Sequence, residues 1–193
     1  MSAWTSSDAA RDSWRDAWDE EFDGAAEWLP LGEVGPGKWT GNIHGGWNMS
    51  DVARAYQRQI SGRPAWYDYH VNRRGKKYDF DGYDSRRRTL LDAKAYGPTS
   101  DVVRAYQISQ QGRPLPQRLA KQFSQLVADA RRQRRAAGKT PIEWHVASSK
   151  AAEALRALLR TNGLLKTDQN RLGINVKWTK PNEKVLHAWR QRR

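Results

Sequence analysis

Asp81, Asp92 and Lys94 stand close together in the stretch YDFDGYDSRRRTLLDAKAY, residues 78–96. Two carboxylates brought side by side can hold one Mg2+ ion, which takes oxygen ligands in octahedral geometry and keeps several waters. Such an ion lowers the pKa of a bound water, and a nearby ammonium can orient that water and stabilise charge on a phosphate. The spacing permits this convergence. Side chains alternate between the two faces of a strand, so Asp92 and Lys94 share one face, while Leu91 and Ala93 point the other way into the packed side. By the same rule Asp79 and Asp81 share a face of the preceding strand. A short hairpin connection then lets Asp81 lie beside Asp92, and the Ala93 carbonyl offers a further oxygen. The same side chains can instead form a cross-strand ion pair on a solvated face. No other lysine of the chain stands two residues after an acid.

The elements that must position these groups can be read from periodicity and caps. DVARAYQRQISGRP (51–64) recurs as DVVRAYQISQQGRP (101–114), with nine of fourteen positions identical. Both copies start after a Ser-Asp cap and stop at Gly-Arg-Pro, so they predict two similar helices and not a repeat array. WYDYHV (66–71), YDFDGY (78–83) and TLLDAKAY (89–96) carry strand patterns, with RRGKK and DSRRR as turns. Residues 115–137 predict a long helix with Leu119, Phe123, Leu126 and Ala130 on one side and arginines in its last turn. PIEWHVA (141–147), SSKAAEALRALLRTNG and GINVKWT (173–179) follow as strand, helix and strand. This order predicts an α+β (α/β-like) fold with a mixed sheet flanked by helices.

Composition sets the surroundings. The 193 residues suit one domain plus an appendage and carry a net charge of +13. Residues 1–49 hold three basic and nine acidic side chains, whereas residues 50–193 are strongly basic. A body so basic favours a polyanion, most simply nucleic acid, although an anionic membrane surface or a merely solvated face also suits it. The absence of cysteine excludes disulfides and thiolate metal sites. No run approaches the roughly 18 apolar residues of a membrane span, and no secretory signal is read at the N-terminus, so export is expected to use another route. In the acidic segment Trp14, Trp18 and Phe22 fall on one helical stripe; this helix either docks on the main domain or screens a basic face with its acids. Residues 30–49 read as a Gly/Pro-rich connector, and 181–193 as a basic tail.

Other residues are less pointed. His44, His70, His145 and His187 have no metal-binding spacing, although Glu143 and His145 share one face of their strand. No acyl-transfer triad, P-loop or dinucleotide fingerprint appears. Arg86, Arg87 and Arg88 either contact phosphates or form a solvated turn. Arg131 and Arg132, in RRQRR (131–135), and the terminal WRQRR supply positive field without base readout.

The order αβββαβ, with an aspartate on the second strand and D-x-K on the third, resembles the PD-(D/E)xK, or restriction-endonuclease-like, nucleases. RAYQRQISGRP, YDFDGYD, LLDAKAY, the helix ending DARRQRRAAG and PIEWHVA resemble the restriction-endonuclease-fold toxins of class five, over about residues 50–180. The resemblance implies Mg2+- (or Mn2+-) dependent hydrolysis of DNA phosphodiesters by a C-terminal toxin module of a bacterial effector. Such modules are often exported by type VI secretion, act in the target-cell cytoplasm, and are neutralised by a cognate immunity protein, here expected to be acidic. Carried over, Asp81 and Asp92 become metal ligands, Lys94 the water-positioning cation, and Gln133 a hydrogen-bond donor to water or phosphate. The wider fold also places a glutamate on the first helix. Here DVARAYQRQIS has none, and Gln57 or Gln59 is the nearest substitute, so a second metal site is not expected. Asp92 stands where glutamate is commoner, one methylene shorter. A non-catalytic nucleic-acid-binding module and an RNA-cutting toxin are the rival readings.

Overall fold

The computed structural model describes residues 33–41 and 49–191; Trp14, Trp18, Phe22 and His44 lie outside the described residues. The fold is α+β, built on two four-stranded sheets.

The first sheet is antiparallel throughout. It runs β1 (Glu33–Val34), β2 (Gly37–Gly41), β3 (Tyr67–Arg73) and β4 (Lys76–Phe80), in that spatial order. Residues read as connector therefore supply two strands, β2 pairing with β3 from Lys38↔His70 to Gly41↔Tyr67. The β3–β4 hairpin closes through Arg74 and Gly75, both at positive φ (53° and 74°), the left-handed pair that matches strand twist in a two-residue loop.

The second sheet is mixed. β5 (Gly82–Asp84) pairs antiparallel with β6 (Thr89–Lys94), and β6, β7 (Ile142–Val146) and β8 (Ile174–Trp178) run parallel. Helices α1 (Asp51–Ser61), α2 (Asp101–Gln110), α3 (Gln117–Ala137), α4 (Ser149–Thr161) and α5 (Glu183–Arg190) surround it. Ser50 caps α1 by accepting from the Ala53 N–H, and Gly62 ends it in the left-handed conformation. The twin segment forms α2 as expected. The segment read as a basic tail forms α5, capped by Asn182 accepting from the Val185 N–H.

Both faces of the mixed sheet are covered. Leu90, Trp144, Val146 and Val176 meet the alanines and leucines of α3 and α4 in the larger core. Val52, Ala55 and Tyr56 of α1, with Val185 of α5, pack with Ala93 and Ala95 on the other side. The long-helix stripe is as expected: Leu119 and Ala130 are buried and Phe123 and Leu126 partly so.

Two expectations change. The expected mixed sheet flanked by helices is present, but it is joined by a second, antiparallel sheet, because residues 78–83 are not one strand: the chain leaves β4 at Phe80 and enters β5 of the other sheet at Gly82. Asp81 is the residue of that crossing, so the two-residue alternation that gave Asp79 and Asp81 a common face does not apply. Asp79 stays on β4, where its carboxylate meets His70 Nδ1 at 2.6 Å and Lys77 Nζ at 3.8 Å.

Candidate functional site

Asp81 owes its place to the end of a ladder. The β5–β6 pairing starts at Gly82↔Leu91, so beyond Leu91 strand β6 has no antiparallel partner on that edge. The Asp81 carboxylate replaces the missing carbonyl: the Ala93 N–H donates to its Oδ2 at 2.6 Å. Gly82 permits the crossing, since a Cβ there would stand 3.1 Å from Ser61 Cβ at the end of α1.

Asp92 and Lys94 share the face predicted for them, but that face looks into the larger core and not into open solvent. Asp92 is only 4% exposed. Its Oδ1 accepts from Lys94 Nζ at 2.7 Å, and its Oδ2 accepts from the Gln133 amide of α3. Trp144 stands opposite Asp92 in the parallel register of β6 and β7. Its indole N–H donates to Gln133 Oε1 at 2.8 Å, and its ring lies 5.0 Å from the Lys94 ammonium. One tryptophan thus fixes which way the Gln133 amide points and also provides a π face for the lysine. Gln133 is therefore a holder of Asp92. Leu91 and Ala93 point away from Asp92, as expected.

The charges are tightly linked. Burial, and then the charge of Asp92, push the Asp81 carboxyl up to about 8, while Lys94 and the Ala93 N–H pull it down. Burial alone would lower Lys94, but the charges of Asp92, Tyr96 and Asp81 and the hydrogen bond to Asp92 outweigh it and hold the ammonium above its ordinary value. A lysine so held stays protonated near neutral pH, so it can donate hydrogen bonds and stabilise negative charge but cannot serve as a base.

The Asp81 and Asp92 carboxylates, near enough for the charge of Asp92 to raise Asp81, offer oxygen donors only. Among the described residues no group of three or more His, Asp or Glu side chains is placed to hold a metal. The chemistry of this donor set suits a hard divalent ion that keeps most of its waters, as Mg2+ does. A partly buried acid raised this far from its ordinary value is also one that a cation would relieve.

The remaining candidates separate. Gln57 is 1% exposed; its Nε2 lies 3.5 Å from both the Tyr67 carbonyl and Asp68 Oδ1, and its Oε1 has no partner. Gln59 instead ties α1 to the C-terminal segment, donating to the Lys180 carbonyl and accepting from the Asn182 N–H. Arg87 is held by Asp84 and by Glu143, each at 2.6 Å, while Arg86 and Arg88 are exposed. Arg131 reaches Asn162 at 3.4 Å and Arg132 pairs with Asp129. Glu143 and His145 are in register with Leu91 and Ala93, so they face away from Asp92 and Lys94. There Glu143 gathers Arg87, Lys177 and Asn175, with His145 Nε2 at 3.4 Å. Burial would raise the Glu143 carboxyl, but hydrogen bonds from His145, Lys177 and Arg87 hold it well below the usual carboxylate range.

Trp144 is the functional residue that sequence reasoning missed. Its alternation with Ile142 and Val146 marked it as core, which it is. Its second role depends on which strand lies beside β7, and periodicity carries no signal for that.

Among the described residues no helix is long and apolar enough to cross a membrane. No curated protein matches the chain. A family model described as restriction endonuclease fold toxin 5 matches residues 53–149, half of the chain and the part that contains Asp81, Asp92, Lys94, Gln133 and Trp144.

Proposed function

Since the chain belongs to the restriction endonuclease fold toxin 5 family, and so is a nuclease-type toxin, we propose that it is a divalent-metal-dependent DNA endonuclease. The observation that carries this reading is the meeting of two carboxylates and a charged lysine where the two sheets part, in a chain of net charge +13. In this reading Asp81 and Asp92 hold Mg2+ or Mn2+. When bound, such an ion supplies an activated water and charge stabilisation at the phosphate.

The chain's own groups have distinct tasks. Lys94 remains an ammonium and donates to the attacking water or to a non-bridging phosphate oxygen, where negative charge develops. Gln133, itself held by Trp144, keeps Asp92 from rotating away. Arg86 and Arg88, with Arg131 and Arg132, are the proposed phosphate contacts, and Arg87 joins them only by releasing Glu143 or Asp84. Asp92 is one methylene shorter than the glutamate commoner at such a position, and its carboxylate is held in place by the Gln133 and Lys94 bonds.

The finer biology is proposed on the same footing: an effector module delivered to other bacteria by type VI secretion and active in the target-cell cytoplasm. An acidic immunity protein covers its basic surface. Expression in a bacterium should be toxic, and an immunity partner should relieve that toxicity.

The deciding assay incubates the purified chain with supercoiled plasmid and, separately, with total RNA, in Mg2+ or Mn2+ and in EDTA. Nicking of plasmid with metal only, with RNA intact, is the expected result. Intact plasmid beside degraded RNA makes the substrate RNA. Binding without cleavage of either makes the chain a nucleic-acid-binding module.

A further inference from the structure

Trp178 is 55% exposed, and with Leu172 it is one of two large apolar side chains exposed among the described residues. Its position is specific. In the parallel register of the mixed sheet, Lys94 pairs with Val146 and Val146 with Trp178. Residues in register across strands project from the same face, so Trp178 lies in the row of the site lysine, two strands away. At the usual strand spacing that is about 10 Å. Both residues sit at the C-terminal ends of parallel strands, the edge where ligands of such sheets bind. β8 is the outer strand of this sheet; among the described residues Leu165 bridges its first residue, Ile174, at the end opposite Trp178.

The neighbourhood is basic. Lys180 follows two residues later and is exposed, and Lys150 is exposed in the first turn of α4, the helix that leaves β7, the strand between those of Lys94 and Trp178. Lys177 precedes Trp178 but points to the opposite face, where Glu143 holds it at 2.6 Å. A flat aromatic face flanked by ammonium groups, in line with a phosphate-handling lysine, is the arrangement that single-stranded nucleic acid binds: bases stack while the backbone follows the charge.

We propose that Trp178 is a base-stacking platform, and that the chain acts on nucleic acid whose bases are unpaired beside the scissile phosphate. This rests on the reading of Asp81, Asp92 and Lys94 as the phosphate site. Inside a duplex every base face is covered by its neighbours, so an indole on the rim can stack only on a base that has left the helix. Substrates of this kind are single strands, gaps, frayed ends and the opened segments of supercoiled DNA. Supercoiled plasmid should accordingly be cut faster than relaxed plasmid of the same sequence.

The test measures binding of short single-stranded and blunt duplex oligonucleotides by fluorescence anisotropy, in EDTA so that nothing is cut. Trp178→Ala should weaken single-strand binding about tenfold and leave duplex binding within about twofold, and Trp178→Phe should keep most of the single-strand affinity. Unchanged single-strand binding in Trp178→Ala overturns the proposal, and so does an equal loss on both ligands. A dimer that Trp178→Ala converts to monomer also overturns it, by assigning the indole to a second copy of the chain. The nuclease reading is scored separately by adding Mg2+. Absent cleavage with a Trp178-dependent single-strand preference defeats that reading and leaves only the stacking platform, whereas cleavage without the preference overturns the platform and leaves the nuclease.

Discussion

The Ala93 N–H donates to the Asp81 carboxylate at 2.6 Å, and this bond joins the crossing between the sheets to the residue between Asp92 and Lys94. It places the first acid beside the second without requiring either to reach along its own strand. It also sets the Asp81 carboxylate in a partly buried position, which has a consequence for stability.

Without divalent ions, Asp81 should make the fold lose stability as pH rises. Its carboxyl is raised to about 8 in the folded chain against 3.8 ordinarily. Between those values the folded state binds a proton that the unfolded state does not, so stability falls with rising pH. Asp81→Asn should abolish cleavage yet melt higher than wild type at pH 8 in EDTA, with the gap closing toward pH 4. Parallel melting curves for the two proteins across that range would contradict the assignment.

Trp144→Phe should keep a ring beneath Lys94 but strand the Gln133 carbonyl oxygen, a buried loss of about 1–3 kcal/mol. The kcat for cleavage should drop about ten- to a hundredfold, the range for removing a partner that orients a metal ligand, with KM for nucleic acid little changed. Leu159→Ala, in the core at the C-terminal end of α4, where the Leu159 carbonyl accepts from the Leu164 and Leu165 N–H groups, should melt early and retain kcat. Equal kcat in wild type and Trp144→Phe would reduce Trp144 to packing.

Glu143 should matter to the fold and not to the chemistry. Its carboxyl is held below the ordinary value, so its contribution is present above pH 4.5 and is lost as pH falls toward the folded value. Glu143→Gln leaves Lys177 without its charge partner and Arg87 with Asp84 alone, and should cost about 1–3 kcal/mol at pH 7. Urea midpoints should show that gap shrinking below pH 5. A gap that stays constant down to pH 2 means that packing, and not charge, is lost.

Much of this was legible in the sequence, and the rest was hidden for identifiable reasons. The stripe of Leu119 and Ala130, the strand IEWHV and the placing of Asp92 and Lys94 on one face followed from local period. The break at Asp81 did not, because FDGY alternates well enough for one strand and only pairing to a second sheet divides it. β2 escaped notice because GKWTG is glycine-rich and is held by β3, some thirty residues on. α5 was masked by the basic charge of its segment. Burial of Asp92 and its link through Gln133 to Trp144 depend on parallel strand order, which is fixed by α3 and α4 crossing over the sheet and leaves no mark in any short window.

The most direct test is the plasmid assay run in Mg2+ on wild type, Asp92→Asn and Lys94→Met, each checked by circular dichroism for an intact fold. Wild type should nick, and both folded variants should fall by about a thousandfold or more, as expected when a metal ligand or the charge-stabilising group is lost. Either folded variant cutting at the wild-type rate contradicts the assignment of the site.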